Sequence, residues 1–271
     1  MLISSAITIY FSPTGTTKKV VNSIVKGMGI VDNKIIDLTI PKVRMDDPPL
    51  IDSDIVLIGV PVYEEKIPEI AYSFLAQLKG NGKPVILVGV YGNIGEGIVL
   101  NELDFITEKS GFKTVAAGTF IGEHSFSTQS VPIAHNRPDN DDLNKAEEFG
   151  KRIIEKIQKA DNLDDISIKI PQFKLPLTAK IAPKNSARLF TKTPCADMNK
   201  CNHCNICAKL CPVSAIDKKT LKIDEERCLR CFSCVKRCPR KARKIIYKAS
   251  FLVSKVLSMK SRNIKEPKLY L

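Results

Sequence analysis

The sequence predicts an α/β chain: a doubly wound parallel sheet of five strands, followed by a small α+β unit built around metal. Three observations lead there. Apolar runs rich in β-branched residues alternate with stretches of helical periodicity over residues 1–160, and such alternation puts helices on both faces of a parallel sheet. Eight of the nine cysteines lie in two copies of one motif, Cys201-x-x-Cys204-x-x-Cys207-x-x-x-Cys211-Pro212 and Cys228-x-x-Cys231-x-x-Cys234-x-x-x-Cys238-Pro239, offset by 27 positions. The net charge of +13 is unevenly placed: residues 1–194 hold 23 basic and 23 acidic side chains, residues 195–271 hold 19 and 6.

Ala6–Phe11 reads as a buried first strand. It breaks at Ser12-Pro13-Thr14-Gly15-Thr16-Thr17, after which Val20, Val21, Ile24, Val25 and Met28 recur at helical spacing. A strand, a loop of hydroxyls and glycine, and then a helix make an anion site, because the N–H groups of the first turn are unpaired and the helix dipole is positive there. The loop lacks the lysine of a nucleoside-triphosphate loop and the Gly-x-Gly-x-x-Gly of dinucleotide binders. The competing reading is an ordinary N-capped helix. Further strands are expected at Lys34–Leu38, Asp54–Gly59, Pro84–Val90 and Lys113–Ile121. Helices are expected around Ile70, Ala71, Phe74, Leu75 and Leu78, from Glu96 to Ser110, and from Asp139 to Ala160, where Leu143, Ala146, Phe149, Ile153 and Ile157 form an apolar stripe.

The loop Ser12–Thr17 resembles the phosphate loop of flavodoxins, Thr/Ser-x-Thr-Gly-x-Thr, and the resemblance extends over about residues 1–160. It implies a flavodoxin-like sheet of order 2-1-3-4-5 and FMN as cofactor. Ser12, Pro13, Thr14, Gly15, Thr16 and Thr17 would hold the 5′-phosphate, with no counter-cation in the loop. Ligands of such sheets lie beyond the carboxyl ends of the strands at the switch point, where the loops after strands 1, 3 and 4 meet. By the same resemblance, Pro61, Val62 and Tyr63 cover one face of the isoalloxazine, with Tyr63 stacking on it. Tyr91, Gly92 and Asn93 meet the ring edge, where Gly92 lets backbone approach. One departure stands out. Relatives with Pro-Val-Tyr often carry glycine two residues after the tyrosine, where a peptide turns over as the flavin is reduced. Here that residue is Glu65. A non-glycine residue resists positive φ, so the turn is expected to be strained and the half-reduced flavin less favoured. Residues 122–138 read as a long polar insertion that closes over the flavin or forms an interface, with His124 as a candidate proton donor.

Residues 161–194 contain four prolines and read as a linker laid along the surface. For the cysteine motifs, disulfides and zinc are the alternatives. A disulfide framework has no need of two copies at one spacing, and a zinc site uses four ligands and has no use for a third Cys-x-x step or the trailing Cys-Pro. Residues from about 195 to 245 closely resemble the two-cluster bacterial ferredoxins, whose fourth cysteine ligates the other cluster. The resemblance implies two [4Fe–4S] clusters: Cys201, Cys204, Cys207 and Cys238 on the first, Cys228, Cys231, Cys234 and Cys211 on the second. Cys195 is left over as an inert thiol. The order of the two parts, with the run Phe120–Gly150, resembles an anaerobe family of flavodoxin–ferredoxin fusions.

Residues 246–271 read as a basic tail, helical from Ile245 to Met259, with Phe251, Leu252, Val256 and Met259 apolar. It is expected to dock on the chain's own surface, a membrane surface being the alternative. No run reaches the roughly 18 apolar residues of a membrane span, and eight ligand thiols argue for a reducing cytoplasm. The basic excess points to redox partners with an acidic docking face; no nucleic-acid motif accompanies it. The expected function is an electron carrier between low-potential partners, relaying single electrons among FMN and two clusters. The alternative is an FMN-dependent reductase fed by its own clusters, and no NAD(P) domain is legible in either case.

Overall fold

The structure, a computed structural model, describes residues 2–175, 185–248, 253, 255–257, 259 and 261–271. Five strands form the expected parallel sheet: β1 (Ser5–Tyr10), β2 (Asp32–Asp37), β3 (Ile55–Pro61), β4 (Pro84–Tyr91) and β5 (Lys113–Ile121). Their order is β2-β1-β3-β4-β5, which is the flavodoxin-like arrangement with its switch point between β1 and β3. The helices are α1 (Thr16–Met28), α2 (Glu69–Leu75), α3 (Val99–Lys109) and α4 (Asn140–Lys159).

Alternation along each strand sorts side chains to two cores. Ile7, Ile9, Val56, Ile58, Val85 and Leu87 face α2 and α3, where Phe74, Leu75, Leu103 and Ile106 meet them. Ala6, Tyr10, Ile55, Leu57, Ile86 and Val88 face α1 and α4, against Val20, Val21, Ile24, Phe149 and Ile153. Asp139 caps α4 by accepting from Asp142 N at 3.0 Å, while the Asp142 carboxylate accepts from Asp139 N. This reciprocal pair satisfies donors that the first turn leaves open.

Three features depart from the sequence reading. A sixth strand, β6 (Lys268–Tyr270), pairs antiparallel with β5 through Ala117↔Tyr270, Gly118↔Leu269 and Thr119↔Lys268. The basic tail is therefore not helical throughout. Val253, Lys255–Leu257 and Met259 are helical, Tyr247 bridges Thr191, and the chain then extends into β6; Phe251 and Leu252 lie outside the described residues. Three residues of Lys-Leu-Tyr carry too weak a period to stand out in a sequence. The linker is not wholly superficial either, since Ile166 and Ile170 are buried in the two cores.

Helices α1 and α4 touch backbone to backbone. A Cβ on Gly27 would stand 1.8 Å from Glu147 O, and one on Gly150 would stand 2.1 Å from Ile24 O. Each glycine is the notch that admits the other helix. Gly27→Ala and Gly150→Ala are each expected to cost about 2–3 kcal/mol, read as a lowered urea midpoint. An unchanged midpoint would mean the helices lie farther apart than described.

Candidate functional site

The loops after β1, β3 and β4 meet at the carboxyl edge of the sheet. Phe11 N donates to Gly59 O at 3.0 Å, Val62 N to Val90 O at 2.9 Å and Gly122 N to Tyr91 O at 2.9 Å. In the first loop, Gly15 adopts φ 92 and precedes α1, a conformation open to glycine at little cost. Gly15 N donates to Ser12 O at 3.1 Å, and Ser12 Oγ accepts from Lys18 N at 3.0 Å. Pro13 is buried and its carbonyl accepts from Ser233 Oγ at 2.7 Å. Thr14 and Thr16 bring their hydroxyls within 3.4 Å of each other, half-exposed. Thr17 is fully buried, and its hydroxyl has no partner among the described residues. An unpaired buried hydroxyl at a helix start fits an anionic ligand. The loop's own side chains supply no cation, but Arg237 does: a Cβ on Gly15 would lie 2.8 Å from its Nη1.

At the second loop, Tyr63 and Lys66 close a two-residue turn, Tyr63 N donating to Lys66 O at 3.0 Å and Lys66 N to Tyr63 O at 2.9 Å. Glu64 and Glu65 take φ 53 and 66. Glu65 therefore holds the positive φ that a primed two-residue turn requires at both central residues, a conformation glycine and asparagine take at less cost than glutamate. Ile98 N holds Glu65 O at 2.8 Å. Pro61 and Val62 are half-buried, and the Tyr63 ring meets Phe11 edge-on at 6.4 Å. Burial, and then the Cys231 thiol nearby, push the Tyr63 phenol well above its ordinary range.

The third loop is enclosed by the chain itself. The His124 ring occupies the space a Cβ on Gly92 would need, with Cδ2 at 2.4 Å. Tyr91 is buried, and burial followed by Glu96 and Glu266 raises its phenol to about 12. The Asn93 side chain donates to Ser261 O and Asn263 O at 2.9 and 3.0 Å and accepts from Lys265 N at 3.0 Å. The backbone approach allowed by Gly92 thus serves His124, and the amide of Asn93 clamps the tail.

The insertion 122–138 forms an interface. Phe126 meets Phe232 of the second cysteine motif edge-on at 5.4 Å, and Lys236 Nζ donates to Glu123 Oε1 and Ser127 O, both at 2.6 Å. Tyr247 Oη donates to Phe126 O. His124 Nδ1 accepts from Phe126 N at 3.0 Å. Burial, and then Lys236, lower the imidazole pKa to about 4, so it is neutral and acts as a packing group.

The cysteines stand around two hollows. One is lined by Cys201, Cys204, Cys207 and Cys238; the other by Cys211, Cys228, Cys231 and Cys234. In each, three residues come from one motif and the fourth from the other. Among the described residues no three candidate ligands close on one point as a single ion requires. The Cys195 thiol is exposed and lines neither hollow.

The two copies repeat one backbone. His203, Asn205 and Ser214 have φ 56, 57 and 49, and Arg230, Phe232 and Lys241 have 55, 56 and 50. The bridges Ala196↔Arg243 and Ile216↔Ile223 are exchanged by the same 27-residue shift. Ala215 N donates to Cys211 Sγ at 3.2 Å, and Ala242 N to Cys238 Sγ at 3.3 Å. Arg243 is buried beside the first hollow, donating to Pro194 O and Leu221 O at 2.7 and 2.6 Å. Arg230 is buried beside the second, with Nε and Nη1 lacking any partner among the described residues. A buried guanidinium without an acceptor fits an anionic group in that hollow. Sequence reasoning missed the buried Arg230 and Arg243 and the exposed Arg237 over Gly15, because arginines in a basic stretch carry no signal of which contact the rest of the chain.

Residues 200–242 match the family model described as a 4Fe-4S dicluster domain. No curated protein matches the chain. Among solved structures, the Streptococcus pneumoniae TIGR4 flavodoxin is 16% identical, with 56% of this chain and 99% of that one covered at TM-score 0.40. A flavodoxin from the domain Archaea is 18% identical, covering 57% and 99% at 0.40, and that of Megasphaera elsdenii is 23% identical, covering 54% and 98% at 0.35. The chain joins a flavodoxin-like α/β unit, defined by its strand order, to a segment that matches an iron–sulfur domain model, and the pairing supports an electron-transfer role. No helix among the described residues is long and apolar enough to cross a membrane.

The depressed His124 pKa has a signed consequence. Below its unfolded pKa of about 6.5 the unfolded chain takes up a proton that the folded chain refuses down to about 4, so stability falls as pH drops through that window. Relative to wild type, His124→Gln is expected to lose about 1–2 kcal/mol of the acid sensitivity between pH 7 and 5, measured by urea unfolding of the full chain. Equal pH slopes would place the imidazole in solvent.

Proposed function

We propose that the chain is an electron-transfer protein carrying two [4Fe–4S] clusters with crossed ligand sets, and FMN with its phosphate at Ser12–Thr17. The observation that supports this most is the pair of hollows, each bounded by three cysteines of one motif and one of the other. The clusters and the flavin, when bound, supply one-electron chemistry.

The chain's own residues set the conditions for that chemistry. Burial pushes the Cys231 thiol up to about 12 and raises Cys234 as well, a cost that metal binding to the thiolates offsets. Ala215 and Ala242 donate N–H groups to the crossing sulfurs, and Arg230 and Arg243 place positive charge beside each hollow. Both devices favour added negative charge and raise a cluster potential. On the flavin side, the phosphate loop accepts a hydrogen bond from Ser233, which lies between Cys231 and Cys234, and this supports a reading in which the two cofactor sites are neighbours. His124 fills the Gly92 side of the third loop, so Ser12–Thr17 and Tyr63 are the residues that hold the flavin in this reading. Partners are redox proteins with an acidic face, drawn by exposed Lys209, Lys218, Lys219, Lys222, Arg240 and Lys241.

Anaerobically purified chain is expected to contain about eight irons and eight sulfides and one FMN. Cys238→Ser is expected to disturb the cluster held by Cys201, Cys204 and Cys207, and Cys211→Ser the other. Each would show as a separate change in the electron paramagnetic resonance spectrum. Zinc in place of iron, or one spectrum shared by both variants, would refute the crossed assignment.

A further inference from the structure

The phosphate loop is positively polarised by the start of α1 but contributes no cationic side chain of its own, and the first turn of α1 carries no acidic residue. The cation nearest its bend belongs to the other unit. Ser233 Oγ donates to Pro13 O at 2.7 Å in a buried contact, and Arg237 N donates to Ser233 O at 2.9 Å at the end of the short helix Ser233–Lys236. That geometry sets the Arg237 guanidinium over Gly15, where any side chain would run into Nη1 at 2.8 Å. Arg237 is exposed, and no ion pair or side-chain hydrogen bond of its guanidinium occurs among the described residues. Two residues after Gly15, in the first turn of α1, the fully buried Thr17 hydroxyl lacks a partner among the described residues. An exposed guanidinium and an orphan buried hydroxyl therefore lie at one helix start.

The internal repeat shows that these residues do not belong to cluster binding as such. Phe232, Ser233 and Arg237, which meet the α/β unit, correspond after the 27-residue shift to Asn205, Ile206 and Leu210 in the first copy. Both copies hold a hollow, but only the second copy carries the residues that reach the phosphate loop.

We propose that Arg237 is the counter-cation of the phosphate ester bound at Ser12–Thr17, so that phosphate binding and docking of the cluster unit reinforce each other. This rests on the reading of that loop as a flavin phosphate site. A guanidinium beside a phosphate makes charge-assisted hydrogen bonds, and because Arg237 reaches Gly15 only when Ser233 sits on Pro13, each event favours the other by the same factor.

The test is anaerobic titration of the cluster-loaded full chain with FMN and, separately, with riboflavin, which has the ring and no phosphate. Arg237→Gln is expected to weaken FMN binding about tenfold and leave riboflavin binding unchanged, Arg237→Lys to recover most of the loss, and the preference for FMN over riboflavin to fall with salt only where the charge is retained. The cluster absorption spectrum checks that each variant is intact. Unchanged or tighter FMN binding in Arg237→Gln would overturn the proposal, tighter binding marking the arginine as a plug. Equal weakening of both ligands would overturn it too, marking a packing role. If wild type bound neither flavin, the phosphate-site reading would itself fall and carry this inference with it.

Discussion

Neither cysteine hollow can close from its own stretch of chain. Three thiols on a tight loop face one way, and the fourth side is reached by Cys238 for the first hollow and by Cys211 for the second. The two copies are therefore locked together by exchange, and the exchange runs deeper than the sulfurs. Asp197 N donates to Ala242 O at 2.7 Å and Asp224 N to Ala215 O at 2.8 Å, the same bond seen from either half. A small unit with few large side chains gains order from this reciprocity, and the buried Arg230 and Arg243 tie its interior to the charge it is built to surround.

A locked unit can dock as a body. It presents Phe232, Ser233, Lys236 and Arg237 to the carboxyl edge of the sheet, where the β1 and β5 loops receive them. The β3 loop is held on the other side by Ile98 and meets the linker through Glu64 and Ser186 N. The edge that a doubly wound sheet leaves for its ligand is thus lined in large part by a second unit of the same chain.

Much of this was legible in the residues. The five parallel strands follow from apolar runs whose alternation sorts to two faces, and the shared backbone of the motifs follows from their repeated spacing. Long-range placement was not. Glu65 looked unable to take positive φ because a sequence does not show that Tyr63 and Lys66 will close a turn around it. His124 looked like a free acid because nothing near it in the chain announces the pocket made by Gly92 and Phe126. The inward arginines were hidden among outward ones, and β6 was too short to carry a period. Most of these misses, the Gly92–His124 and β5–β6 contacts above all, concern a partner far away in the chain, which local spacing cannot encode.

Strand β6 lies beyond both cysteine motifs in the chain, yet it hydrogen-bonds to β5 of the first unit. During synthesis the ribosome delivers every thiol before the residues that cover this margin of the sheet. Until then β5 exposes unpaired main-chain groups, a template for mispairing with a neighbouring nascent chain. The connectivity makes closure of this edge of the sheet wait on passage through the cysteine motifs, so the last pairing of the first unit follows synthesis of the second.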